Sequence, residues 1–174
     1  YKALAEKSES YEICFIPDND YASFLKRRVV GLEHKVKGGD FINTKGEVVG
    51  NHNGYPFYTI GQRKLGVSLG PNPTYVIGIK PQENIVIVGT KEELQQNEMF
   101  IRDINYLKYD KIEDGMQCVV KIRYKHKGEV ATITNDGDNL KVLFHNKVEG
   151  IAPGQSAVLY EGNDVIAGGF ILNK

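Results

Sequence analysis

Cys14 is the side chain in this sequence that is best suited to act as a nucleophile. It lies within residues 13–17, a short apolar run of sequence ICFIP. Residues 18–20 (Asp-Asn-Asp) follow directly, and side chains of these types cap the N-termini of helices. Apolar residues at helical spacing come next, so the sequence predicts a short amphipathic helix over residues 18–28, just after the cysteine.

The reactivity of Cys14 depends on its ionisation, because the thiolate and not the thiol is the nucleophile. A helix N-terminus or nearby cations lower the pKa of a thiol, and Lys26, Arg27 and Arg28 are close in sequence. The alternative is a small apolar residue packed in a strand, which is the common role of free cysteines. The residue types alone leave both interpretations open.

A basic loop provides the next group of candidate residues. Gln62, Arg63 and Lys64 lie in residues 61–66, GQRKLG, which lack the spacing of a phosphate-binding glycine loop or a dinucleotide fingerprint. A solvated turn is one interpretation of this segment. Phosphate contact is the other, because arginine donates in a fork that fits phosphate oxygens and lysine adds a point charge.

Residues 116–125 alternate between apolar and polar side chains, with Val119 as the exception, and predict a strand. Lys121, Arg123 and Lys125 would share its polar face, either as a solvated surface or as a stripe that follows a phosphate backbone. Cys118 would lie on the opposite, apolar face and is predicted to be buried in the core. That apolar face is expected to comprise Met116, Cys118, Val120, Ile122 and Tyr124.

Composition restricts the class of protein. The 174 residues contain 22 Lys and Arg and 22 Asp and Glu, so the net charge is zero and any nucleic-acid surface must be local. Two distant cysteines fit a reducing cytoplasm better than a disulfide scaffold. No apolar run is long enough for a membrane span, and the four histidines lack metal-ligand spacing, so we predict neither a membrane anchor nor a metal site. A start at Tyr1 rather than Met predicts a piece of a longer protein.

Short Val/Ile runs separated by turn residues predict a mainly β protein, with a small α+β central module followed by an antiparallel β-barrel. Hairpins are predicted over residues 40–50 and 75–88, and residues 50–54 are predicted to be a loop. Thr90 and Glu93 have the spacing of a capping box and predict one helical turn. The predicted divisions are residues 1–17, the end of an N-terminal module, 18–97, the central module, and 98–174, the barrel.

Several blocks of the sequence, taken together and in order, resemble the bacterial tRNA-specific 2-thiouridylases, which place sulfur on the wobble uridine of tRNA. The resemblance extends over nearly the whole chain. The blocks are EICFIP (12–17), GEVVGNHNG (46–54), YTIGQRK (58–64), YVI (75–77), NIVIV (84–88), KIRY (121–124) and APGQSA (152–157).

This resemblance implies a catalytic role for Cys14, which would carry a persulfide and deliver its sulfur to C2 of the uridine. The uridine would be activated by ATP with Mg²⁺ on an N-terminal module, so the chain alone is expected to be inactive. The implied partners are tRNA and an upstream sulfur-carrier protein or cysteine desulfurase, and the chain is expected to be monomeric and cytoplasmic. The implied tRNA contacts are Arg123, Tyr124, Gln155, Lys121 and Lys125, and the implied active-site or RNA contacts are Gln62, Arg63 and Lys64.

The alternative is an RNA- or protein-binding β-barrel module without catalytic chemistry, and a third interpretation is a structural domain in which both cysteines are packing residues. Cys14 distinguishes the enzyme from the binding module, because a sulfur carrier needs a reachable and reactive thiol in the assembled site, whereas a binding module does not.

Overall fold

The computed structural model describes Ile16 and residues 20–172. Cys14 lies outside the described residues, as do the beginning of the predicted helix and all but Ile16 of residues 1–17, the proposed end of the N-terminal module. Within the described part of the chain, no helix is long and apolar enough to cross a membrane.

The first element is helix α1, Tyr21–Arg28. Asp20 caps it, because its Oδ1 accepts a hydrogen bond of 2.9 Å from the backbone N–H of Ser23. Basic side chains occupy the last turn, where their positive charge interacts favourably with the negative end of the helix dipole. The predicted helix is confirmed over these residues, and a second short helix, α2, follows at Leu32–Val36.

The central module contains a four-stranded sheet made of the two predicted hairpins. Strands β1, Gly39–Ile42, and β2, Val48–His52, form one antiparallel pair. Strands β3, Tyr75–Lys80, and β4, Ile85–Gly89, form the other. The sheet order is β2-β1-β4-β3, and a parallel contact between β1 and β4, which the sequence did not predict, joins the hairpins. One short 3-10 turn spans Tyr55–Phe57 before β3, and another spans Pro81–Glu83 between β3 and β4.

The predicted loop over residues 50–54 is wrong in its first half, because β2 continues through His52. The His52 ring packs 5.1 Å from Phe41 and 5.3 Å from Tyr58, measured between ring centroids. This packing leaves the residue only 5% exposed. Burial lowers the pKa of His52, so the neutral ring is the form that the core favours.

The predicted capping box and helical turn are confirmed by α3, Lys91–Leu94, whose N-cap Thr90 exchanges hydrogen bonds with Glu93. The barrel begins directly afterwards. Its six strands pair in the closed order β10-β5-β8-β7-β6-β9, and every neighbouring pair is antiparallel. The strands are β5 (Gln95–Tyr106), β6 (Met116–Lys121), β7 (Glu129–Asp136), β8 (Asn139–Glu149), β9 (Ser156–Glu161) and β10 (Asp164–Ile171).

The predicted mainly β fold, with a small α+β module and an antiparallel barrel, is therefore confirmed. Alternating residues of the strands point inward and form one large core in the barrel, while the central sheet has a smaller core of its own. The division of the chain at residues 17/18 and 97/98 stays a prediction.

The strand predicted over residues 116–125 is correct only as far as Lys121, where β6 ends. The chain then turns, and the backbone N–H of His126 donates to the carbonyl oxygen of Arg123 at 3.0 Å. The single-face stripe of three cations is therefore wrong, because Arg123 and Lys125 lie in a loop. The same turn leaves Tyr124, expected on the apolar face, 79% exposed. Cys118 is buried in the barrel core as predicted.

Candidate nucleic-acid interface

Two clefts lie where the central module meets one end of the barrel. The larger has a volume of about 650 Å³ and is lined mainly by apolar and aromatic side chains. The smaller, about 320 Å³, has Arg123 and Gln155 of the barrel on one side and Thr59 to Gly61 and Tyr75 of the central module on the other. We call this smaller cleft the junction cleft. Ligand sites commonly occupy such junctions between modules.

Arg123 reaches the junction cleft because of the residue before it and the loop opposite. Ile122 is buried in the barrel and fixes the backbone where β6 has ended. The Nη1 atom of Arg123 donates to the carbonyl oxygen of Glu149 at 2.8 Å and lies 3.5 Å from that of Gly150. These contacts tie the β6–β7 loop to the end of β8.

Gln155 lies on the turn between β8 and β9, and its backbone is held at both ends. Its N–H donates to the carbonyl oxygen of Ala152 at 3.2 Å, and its own carbonyl oxygen accepts from Ile171 at 2.8 Å. The side chain is exposed and borders both clefts. Two residues predicted from separate parts of the sequence, Arg123 and Gln155, thus border one cavity.

The basic loop of residues 61–66 also lies beside the junction cleft, through Gly61. The side-chain oxygen of Gln62 accepts a hydrogen bond of 3.0 Å from the Thr59 N–H, so this amide stabilises the turn of residues 59–62. The Arg63 guanidinium lies 5.9 Å from the ring centroid of Tyr75, which lines the cleft. Lys64 is exposed and has a left-handed backbone with φ of 60°.

The three remaining predicted contacts, Lys121, Tyr124 and Lys125, do not line the junction cleft. Lys121 is half-buried, and its Nζ atom lies 5.0 Å from the ring centroid of Tyr160 on the neighbouring strand β9. Lys125 is exposed in the β6–β7 loop, beside Tyr124. The structure therefore does not group Lys121 with Arg123 as a continuous row.

Glu149 is the acidic side chain of the junction cleft, and two neighbours compensate its charge. Its Oε1 accepts from Gln95 Nε2 at 3.1 Å and lies 3.2 Å from Lys91 Nζ. The hydrogen bond from Gln95, together with the contact to Lys91, lowers the pKa of this carboxyl. The charge of Arg123, which also donates a hydrogen bond to the backbone carbonyl oxygen of Glu149, lowers this pKa further.

His126 and Gly150 both lie near Arg123, and no motif in the sequence pointed to either of them. The Nδ1 atom of His126 is buried and makes no hydrogen bond with the described residues. Burial lowers the pKa of His126, and the charge of Arg123 lowers it further. A half-buried histidine beside the arginine is therefore held in its neutral form.

Comparisons with known proteins cover nearly the same residues as these two modules. The tRNA methyl transferase PRC-barrel domain matches residues 23–90, and the aminomethyltransferase β-barrel domain matches residues 96–171. The tRNA-specific 2-thiouridylase MnmA of Amoebophilus asiaticus is 53% identical over 173 residues, which are 98% of this chain and 46% of that protein.

Two further relatives have the same name. The protein of Cytophaga hutchinsonii is 53% identical over 170 residues, 97% of this chain and 46% of that protein. The protein of Salinibacter ruber is 49% identical over 170 residues, 97% of this chain and 44% of that protein. The chain spans about half the length of the curated relatives it matches. The two domain matches and these identities confirm the resemblance found in the sequence, and the chain belongs to the tRNA-specific 2-thiouridylase family.

Proposed function

We propose that this chain is the part of a tRNA 2-thiouridylase that contacts the tRNA and supplies the sulfur-carrying cysteine. The proposal is supported by the names of its relatives and by the junction cleft, where Arg123 and Gln155 converge. A guanidinium and an amide that line one cleft are suited to bind a phosphate and a neighbouring polar group of RNA. That convergence is the observation that carries the proposal.

Tyr124 adds an exposed aromatic ring next to Arg123 in the chain. That residue is 79% exposed. Exposed aromatic rings next to cations bind unstacked bases of single-stranded RNA, while the cations contact the backbone. We propose that Arg123, Tyr124 and Gln155 contact the tRNA, that Lys121 and Lys125 add positive charge near it, and that Arg63 and Lys64 extend the contact onto the central module.

The chemistry of the proposal rests on Cys14. As a persulfide it would offer a nucleophilic terminal sulfur to C2 of the wobble uridine, and the activated oxygen on C2 would leave. A second thiol would then attack the Cys14 sulfur and break the S–S bond, so that the transferred sulfur stays on the uridine and the two cysteines end as a disulfide. Cys118 does not suit the role of that second thiol. It is buried among the strands of the barrel, and burial raises its pKa to about 11. We infer that the second thiol lies in a part of the longer relatives that this chain does not span.

We propose that the described residues do not form the ATP site. Asp20 and Thr90 cap the N-termini of α1 and α3 with their own side chains, and α2 is five residues long. In the sequence, none of these three helix starts follows a glycine-rich loop of the kind whose N–H groups cradle a triphosphate. We propose that ATP with Mg²⁺, like the sulfur donor, acts through the part of the full protein outside this chain, in the cytoplasm.

The tRNA-binding part of the proposal is tested by the salt dependence of binding. We expect the chain to bind a fluorescent tRNA transcript weakly, with an affinity that falls as salt rises. Arg123→Ala should reduce the slope of log Kd against log salt by about 0.7 to 0.9, the contribution of one phosphate contact. Arg102→Ala is the matched control, because Arg102 is an exposed arginine on β5 that pairs with Asp103. Binding that is insensitive to salt, or equal slope losses in both variants, would contradict the proposal.

The chemical part is tested in the full-length protein. Cys14→Ser should abolish thiouridine formation on tRNA, and Cys118→Ala should retain it, because Cys118 is a core residue. Mass spectrometry of digested tRNA measures the product. Retained activity in Cys14→Ser would leave the alternative, in which this chain is a binding module without chemistry.

A further inference from the structure

The Arg123 side chain packs against the backbone of Gly150. Arg123 Nη1 donates to the carbonyl oxygen of Glu149 at 2.8 Å and lies 3.5 Å from the carbonyl oxygen of Gly150. A Cβ placed on Gly150 would lie 3.0 Å from Nη1, which is closer than ordinary van der Waals contact. The guanidinium therefore occupies the space that a side chain at residue 150 would need.

We infer that Gly150 is a positioning residue that holds the Arg123 guanidinium in the junction cleft for its ligand. The inference rests on the proposed function, because it takes that ligand to be a phosphate of tRNA. The contacts with the two carbonyls use Nη1 alone, and within the described residues Nη2 and Nε donate no hydrogen bond. Nη2 and Nε together carry three N–H groups, the planar fork that matches phosphate oxygens.

Fixing the guanidinium in advance favours binding, because a long side chain loses rotational freedom when it is immobilised on a ligand. An arginine that already contacts two carbonyl oxygens has lost part of that freedom before the tRNA binds. Loss of the contacts between Arg123 and the two carbonyl oxygens should therefore weaken tRNA binding, even though the positive charge remains. This separates the effect of position from the effect of charge.

Gly150→Ala makes this separation experimentally. The added Cβ meets the far end of a flexible side chain, so we expect the Arg123 guanidinium to move and the barrel to keep its structure. The substitution also strains the backbone, because Gly150 has a φ of +72°. Gly115→Ala is the matched control, since Gly115 has a φ of +84° and nothing within 4 Å of a Cβ. Gly115 directly precedes β6, whereas Arg123 follows the end of that strand.

The experiment measures tRNA binding to the chain by fluorescence anisotropy across salt concentrations, with thermal unfolding as the check on folding. Gly150→Ala should raise Kd about three- to tenfold while keeping the salt slope, because the charge count is unchanged. Arg123→Ala should lower the slope, and adding Gly150→Ala to it should change Kd no further. Gly115→Ala should lose similar thermal stability and bind like the unaltered chain.

The outcomes distinguish this inference from the proposed function. If Arg123→Ala changes neither Kd nor slope, the proposed phosphate contact fails and the inference fails with it. If Arg123→Ala weakens binding but Gly150→Ala does not, or if the two effects add, only the positioning role is overturned.

A second measurement needs no variant. Nitrogen-15 NMR of arginine side chains in the free chain should show slower rotation of the Arg123 guanidinium than of freely exposed arginines. Equally fast rotation would overturn the inference.

Discussion

Cys118 should resist thiol reagents in the folded chain, and the size of this protection follows from its place in the barrel. It lies on β6 opposite Ala131 of β7, points into the core and is 6% exposed. Removal from water disfavours the thiolate, and the charge of Glu161 adds to this, so the pKa rises from 9.0 to about 11.

The expected magnitude comes from the fraction of thiolate, since iodoacetamide reacts with that form. At pH 8, a thiol with a pKa of 9.0 is about one-tenth ionised, whereas one with a pKa of about 11 is about one-thousandth ionised. The lower fraction of thiolate alone therefore slows alkylation about a hundredfold. Steric exclusion of the reagent from the barrel adds to this factor, so a hundredfold is the smallest slowing that we expect.

The assay alkylates the folded chain at pH 8, quenches samples over time and quantifies the two cysteine peptides separately by mass spectrometry. The same chain in concentrated urea gives the reference rate for Cys118. Cys14→Ser serves as the control that assigns the remaining signal to Cys118 and tests whether modification at residue 14 alters it. The rate for Cys14 in the same experiment reports how reactive the proposed sulfur carrier is.

A Cys118 rate in the folded chain within tenfold of the rate in urea would refute this reasoning. It would mean that the thiol ionises and meets reagent without being sheltered by the barrel. Cys118 would then become a candidate for the second thiol of the sulfur transfer, and the argument that places that thiol outside this chain would lose its basis.

Three other outcomes follow from the structure. Phe144→Ala, at a site 2% exposed in the barrel core, should lower the free energy of unfolding in urea by about 3 to 5 kcal/mol, and Phe170→Ala, at a site 44% exposed, by about 1 kcal/mol or less. Asp20→Ala removes the cap of α1, so hydrogen exchange at the Ser23 amide should accelerate while the barrel amides keep their rates. Burial lowers the pKa of His52, so its contribution to stability is present above pH 6.5 and is lost as pH falls below it; the melting temperature should therefore fall on acidification, and less steeply in His52→Phe.

The sequence predicted those elements whose local signals agree with their tertiary packing. Asp20 before an apolar helical repeat, and Thr90 with Glu93, are capping signals that act within a few residues, and both caps are present. Both hairpins of the central module also follow from local turns. The parallel contact of β1 with β4 was not predictable in this way, because it joins segments more than 40 residues apart in the chain.

The sequence prediction ended β6 four residues too late, and the alternation of apolar and polar residues could not show why the strand ends at Lys121. Residues 116–125 keep a period of two to the last residue, but a strand also needs a partner for its backbone groups. Beyond Lys121, the pairing of β6 with β7 and β9 stops, and the backbone of Arg123 bonds within its own turn instead. The hydrophobic period predicted the inward and outward faces only for the residues that are in β6, and the length of the strand depends on its pairing with β7 and β9.

The early end of β6 changes how a neutral protein presents positive charge. On a continuous strand, Lys121, Arg123 and Lys125 would stand in a row on the outer wall of the barrel, each about 6.5 Å from the next. In the loop, the backbone turns after Ile122, so Arg123 reaches sideways to the end of β8 and borders the junction cleft while Lys121 remains on the wall. A row of like charges attracts any polyanion, whereas one guanidinium fixed on two carbonyls has a defined direction. Gly150, which allows that fixation, is therefore the substitution site at which geometry and charge can be measured apart.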